Sequence, residues 1–117
     1  MAETVAIVRY LAREKNVADN WYPKNSKDQA RVDEYLEWQH LNTRHHCTVY
    51  FWLVYVVQGM QGKTVSDARL AEAKKDMIKT LDFISNVWLA DGNKFLTGNT
   101  ISIADIMAAT EIEQTSK

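Results

Sequence analysis

Three histidines, His40, His45 and His46, and a single cysteine, Cys47, crowd into one short stretch of the chain. Such a cluster first raises the question of a metal. No pair of these histidines has the three- or four-residue spacing that would set two ligands on one helix face, and no second cluster completes a set. The sequence therefore implies no metal site, and the histidines read as solvated or packed side chains. Cys47 borders the apolar run Val49 to Val57 and reads as a small buried hydrophobe. A nucleophilic role would need a neighbouring base and an electropositive setting, and the sequence identifies neither. Tyr50, Phe51, Trp52 and Tyr55 could wall a cleft for apolar substrates, but core or subunit packing is the preferred reading. Lys74, Lys75 and Asp76 read as a solvated helix face.

The bulk properties narrow the function classes. The length of 117 residues suits one domain or a fragment of a larger one. A formal net charge of −1 gives no electrostatic case for nucleic acid or a membrane surface. With one cysteine no disulfide can form within the chain, which fits a reducing, cytoplasmic compartment. The start, Met-Ala-Glu-Thr-Val, lacks the basic and apolar regions of a signal peptide. The run Val49 to Val57 is too short to cross a bilayer as a helix.

Periodicity predicts the elements that must position these residues. Val5, Val8, Leu11 and Ala12 recur at helical spacing over Glu3 to Lys15. Asn16 to Lys27 reads as a connector, interrupted by Trp21-Tyr22-Pro23, whose rings can pin it to a neighbouring surface. A long helix is expected from near Ser26 or Asp28, with Val32, Tyr35, Leu36, Gln39 and Thr43 on one stripe. The run Val49 to Val57 favours a strand by composition, and local pattern leaves it open. Ser66 should cap the next helix, whose stripe is Leu70, Ala73, Met77, Leu81, Ile84 and Trp88. Asp91-Gly92-Asn93 is a turn.

The stretch Phe95 to Ile106 holds a full helix-start signal. Ser102 is the N-cap and Asp105 closes a capping box with it, and Ile101 and Ile106 are spaced for a hydrophobic staple. The following residues, to Ile112, are apolar on most sides and belong in a core. Nothing after Pro23 offers a second strand. The expected fold is all-α, an irregular bundle of about four helices.

Phe95-Leu96-Thr97-Gly98, a short turn and Ile101-Ser102-Ile103-Ala104-Asp105 resemble the signature of the helical C-terminal domain of cytosolic glutathione S-transferases. Glu3 to Leu11 resembles the last helix of that family's thioredoxin-like N-terminal domain, and Trp21-Tyr22-Pro23 its interdomain linker. Gln29 to His40 is similar to the theta class in particular. The resemblance implies three spans: 1–15 the last thioredoxin-like helix, 16–27 the linker, and 28–117 an incomplete C-terminal helical domain. It also turns Val49 to Val57 into helix, making Gln29 to Gln58 one helix of ~45 Å, bent near its middle and ended by Gly59 and Gly62.

What the resemblance implies for chemistry falls on three residues. Glu3 and Thr4 match the acidic and hydroxyl residues that hold the γ-glutamyl end of glutathione, with Thr where the theta class usually has Ser. The alternative is that they only cap a helix. Arg44 falls where the theta class sets an arginine at the active-site mouth, to steady a thiolate or anionic leaving group. The alternative is a surface arginine paired with Glu37 or His40. The family's catalytic serine lies early in the thioredoxin-like domain, before the position of Glu3, so no catalytic residue is expected in this chain. The implied activity is conjugation of glutathione, as co-substrate and not cofactor, to hydrophobic electrophiles by a homodimer. The other readings are a non-catalytic dimerisation or interaction domain and a truncated gene product.

Overall fold

The computed structural model of the protein describes residues 2–116; Met1 and Lys117, which the expected domain spans include, lie outside them. The described residues form five α-helices and no named strand: α1 (Thr4–Glu14), α2 (Ser26–Trp38), α3 (Thr43–Phe51), α4 (Asp67–Phe83) and α5 (Ile103–Glu113). Helices α2 to α5 make the expected irregular bundle, and α1 lies on its side. No helix of the described residues is long and apolar enough to cross a membrane.

Helix α5 supplies one side of the larger apolar core. Its start is fixed as the sequence indicates: the Ser102 N–H donates to Asp105 Oδ2 at 2.8 Å, and Ser102 Oγ accepts from the Ala104 N–H at 3.2 Å. The Ile103 N–H, another first-turn donor, goes to the Trp21 carbonyl at 3.0 Å. The connector is thereby tied to the helix start, and Asn20 Nδ2 adds a bond to the Ile101 carbonyl at 2.9 Å. Ile103, Ala104, Met107 and Ala108 are buried against Val32, Tyr35 and Leu36 of α2 and against Ile84 and Trp88. Each large apolar side chain there contributes roughly 1.5–3 kcal/mol. The helix is less enclosed than its composition suggests. Ile106 is 44% exposed and lines a groove with Val8 and Leu11 of α1.

The expected single helix from Gln29 to Gln58 is broken. A 3-10 turn, Gln39–Leu41, follows α2, and Asn42 leaves helical geometry at φ −119° and ψ −91°. The break is held by hydrogen bonds. The Asn42 backbone N–H turns to the Gln39 carbonyl, and the Asn42 side-chain amide takes over the Trp38 carbonyl at 2.8 Å. The apolar stripe nevertheless keeps its phase across the break: Val32, Tyr35, Leu36, Gln39 and Thr43 are all buried, and Tyr35 Oη meets Thr43 Oγ1 at 3.2 Å.

Val49 to Val57 is helical, as the resemblance implies, but in two styles. Beyond Phe51 the turns widen to π type from Trp52 to Met60, and the Gln61 N–H reaches back five residues to Val56. Gly59 lies inside this segment; the left-handed residue at its end is Gly62, φ +62°. Ser66 caps α4 by accepting from the Arg69 N–H. The stripe is buried at Ala73 and Met77 of α4 and at Ile84 and Trp88 of the π-type turn, Ile84–Trp88, that continues it. Tyr35 and Trp88 meet edge-to-face at 5.1 Å, and Arg31 lies 4.7 Å over the Trp88 ring.

Candidate functional site

Helix α1 begins without a side-chain cap. Glu3 sits at the N-cap position with φ +64° and ψ 111°, and its carboxylate makes no cap hydrogen bond. Glu3 thus holds the N-cap position without a side-chain cap bond. Glu3 and Thr4 are both exposed, and among the described residues no side chain caps the first-turn N–H groups of α1. A non-glycine residue at positive φ stores strain of roughly 1–3 kcal/mol, and such strain gathers at functional positions. The same first turn is anchored by Val5, which is buried.

Arg44 stands in the first turn of α3. It pairs neither with Glu37 nor with His40. Glu37 is taken by Arg9 at 2.8 Å, while Arg44 Nε faces Glu111 Oε1 of α5 at 3.8 Å. The Glu111 side chain is only 12% exposed and that of Arg44 is 43% exposed. The largely covered carboxylate thus lies behind the guanidinium, whose side chain stays partly open to solvent. Among the described residues, no hydrogen bond or ion pair joins Glu3 or Thr4 to Arg44.

The histidine and cysteine stretch is structural. His46 Nδ1 bonds Thr80 Oγ1 at 2.6 Å, joining α3 to α4, and its ring meets that of His45 edge-on at 5.4 Å. Cys47 is fully buried, and burial, with Glu111 adding to it, pushes its thiol up to about 11. Such a thiol is neutral and inert near pH 7. Burial also pushes the Tyr35 phenol up to about 12. No group of three or more metal-ligating side chains occurs among the described residues.

The aromatic run packs partly as core: Leu53 joins Val65 and Ala73 in a second apolar cluster, with Val49, Tyr50 and Val57 against it. Only Leu53 of Val49 to Val57 is buried, Phe51 and Tyr55 stack on each other at 5.1 Å, and Trp52 is half-exposed. Two features were not evident in the sequence. One is an apolar groove of about 300 Å³ lined by Val8, Leu11, Val17, Trp21, Ile103 and Ile106. These residues come from α1, the connector and α5, so no local pattern announces it. The other is the network around Arg9. Its guanidinium binds Asp33 and Glu37, and the Tyr22 hydroxyl donates to Asp33 Oδ1 at 3.0 Å. Burial, then this bond, raises the Tyr22 pKa, keeping the phenol a donor.

No protein-family model matches the chain. It is 40% identical over 112 residues to bovine (Bos taurus) glutathione S-transferase theta-1, covering 96% of this chain and 46% of that protein. Human theta-1 is 39% identical over the same length and coverage. Among solved structures, apo human glutathione S-transferase T1-1 superposes with a TM-score of 0.89 at 38% identity, covering 99% of this chain and 48% of that one. A human theta-class transferase in complex with the glutathione conjugate of 1-menaphthyl sulfate gives 0.90 at 30% identity, with 99% and 47% covered. The chain thus spans about half the length of the relatives it matches.

Proposed function

We propose that this chain, a homologue of the theta-class glutathione S-transferases over about half their length, is the helical part of a glutathione-conjugating enzyme. In this reading residues 1–15 are the last helix of a thioredoxin-like domain, 16–27 the linker and 28–117 the C-terminal helical domain. The reaction is attack of the glutathione thiolate on a hydrophobic electrophile, by addition or with displacement of halide or sulfate. The enzyme is a cytoplasmic homodimer that uses glutathione as co-substrate and no metal.

The observation that carries this reading is the likeness running through α1 and the whole bundle, together with the uncapped, strained start of α1. The first-turn N–H groups and the helix dipole suit the γ-glutamyl carboxylate, and the Thr4 hydroxyl adds a donor. Glu3 suits the γ-glutamyl ammonium. Arg44, held from behind by Glu111, offers its outer guanidinium edge to a thiolate or an anionic leaving group. The hydroxyl that would hold the thiolate is expected in the thioredoxin-like domain, so this chain alone should conjugate nothing.

Its own share of binding is small. A helix dipole and an exposed ion pair contribute roughly 0.3–1 kcal/mol each, which corresponds to a Kd of tens of millimolar or weaker. The test is an NMR titration of glutathione into the chain. Shifts confined to the amides of Thr4, Val5 and Ala6, and lost in Thr4→Ala, support the reading; silence there contradicts it for the isolated chain.

A second reading, a helical interaction domain without catalysis, draws on the exposed apolar side chains Trp52 and Met60. Sedimentation of the chain with and without Trp52→Ser separates it: self-association that this substitution abolishes favours it.

A further inference from the structure

We infer that Arg9 is a positioning residue: its guanidinium, forked between Asp33 and Glu37 of α2, fixes where the N-terminus of α1 stands against the bundle. The functional sense of this inference rests on the glutathione reading above; its geometry does not. Beside this fork, α1 meets the core through Val5, Val8 and Ala12, and Arg13 lies 5.9 Å over the Tyr22 ring. Apolar contacts are non-directional and tolerate sliding and rotation of a helix. The fork does not. Arg9 Nε and Nη2 each lie 2.8 Å from Asp33 Oδ1, and Nη1 lies 2.8 Å from Glu37 Oε1.

Asp33 and Glu37 are one helical turn apart, so their carboxylates share a face of α2 and meet the planar guanidinium side by side. Tyr22 closes the arrangement from the connector, donating to Asp33 Oδ1 at 3.0 Å and lying 3.3 Å from Oδ2. The Arg9 and Asp33 side chains are 20% and 34% exposed, which spares that arm of the fork part of the screening that weakens surface pairs, while Glu37, 64% exposed, forms an outer arm open to solvent. Arg9 lies five positions beyond Thr4, ~7.5 Å along the helix axis. Rotation or tilt about this point displaces Glu3 and Thr4 directly. A lysine would keep the charge but lose the two-carboxylate geometry.

The test uses the 117-residue chain, labelled with 15N. Arg9→Met and Asp33→Asn are each expected to raise amide exchange in α1, from Val8 to Glu14, about tenfold while α4 is unchanged. The double variant should add little to either single one. Arg9→Lys should restore less than half of the lost protection. Glutathione-induced shifts at Thr4 and Val5 should shrink several-fold in Arg9→Met. Unchanged α1 exchange in both single variants, or an equal rise in α4, overturns the inference. If glutathione shifts nothing in the parent chain while Arg9→Met still loosens α1, the positioning role stands and the glutathione reading fails for the isolated chain.

Discussion

The Leu96 N–H donates to Asp105 Oδ1 at 2.8 Å, across nine residues of chain. The other oxygen of the same carboxylate takes the Ser102 N–H at 2.8 Å. One side chain therefore closes both the tight turn before α5, where Phe95 and Gly98 exchange backbone bonds, and the helix start itself. Gly98 holds φ +136° in that turn, a conformation open to glycine.

Removing this carboxylate should be among the most damaging single changes outside the apolar core. Asp105→Ala leaves two part-buried backbone donors without partners and is expected to destabilise by roughly 2–4 kcal/mol. Ser102→Ala removes one cap acceptor and should cost about 1 kcal/mol. Urea unfolding followed by circular dichroism measures both. A loss below that of Ser102→Ala would contradict the role given to Asp105.

The buried pair Tyr35 and Thr43 ties α2 to α3 across the Asn42 break. Tyr35→Phe strands the Thr43 hydroxyl and should destabilise by about 1–2 kcal/mol. Thr43→Val on the Tyr35→Phe background should add little, because the two hydroxyls act as one unit. Simple additivity in a double-mutant cycle would show that they do not.

Burial of Cys47 has a pH consequence. Its thiol is pushed from an ordinary 9.0 up to about 11. In the unfolded chain the thiol ionises near 9 while the folded protein keeps the proton, so folded-state stability is whole below pH 9 and falls as the pH rises towards 11. Tyr35, raised to about 12, adds to the fall above pH 10. Cys47→Ala should flatten the part of the profile between pH 9 and 10. A thiol reagent at pH 8 should label the native chain only after unfolding.

Arg44 is a poor stability residue. Its pair with Glu111 is long and its side chain is 43% exposed. Arg44→Met should therefore change stability by less than about 1 kcal/mol. Thermal unfolding checks this, and a larger loss would make Arg44 a structural element of the α3–α5 contact.

The elements most legible in the sequence were those with local grammar. The Ser102 and Asp105 box, the Ser66 cap and the stripe from Ala73 to Trp88 each rest on short-range spacing, and the structure reproduces them. The break at Asn42 was hidden because the buried stripe from Val32 to Thr43 keeps its phase through the 3-10 turn, so periodicity reads straight across it. For Val49 to Val57 composition pointed to a strand; the family resemblance supplied the helix. The partners of Arg9 and Arg44 were out of reach for another reason. They lie on other helices, and charge spacing along one helix says nothing about a carboxylate arriving from elsewhere.

The most direct test of the central claim is glutathione conjugation by a chimera in which residues 3–116 replace the matching half of human glutathione S-transferase theta-1, assayed with a small alkyl halide. An active chimera is expected. In it, Thr4→Ala should raise the KM for glutathione, and Arg44→Ala should lower kcat by roughly 10- to 100-fold. A chimera that is folded and helical yet binds no glutathione would contradict the account.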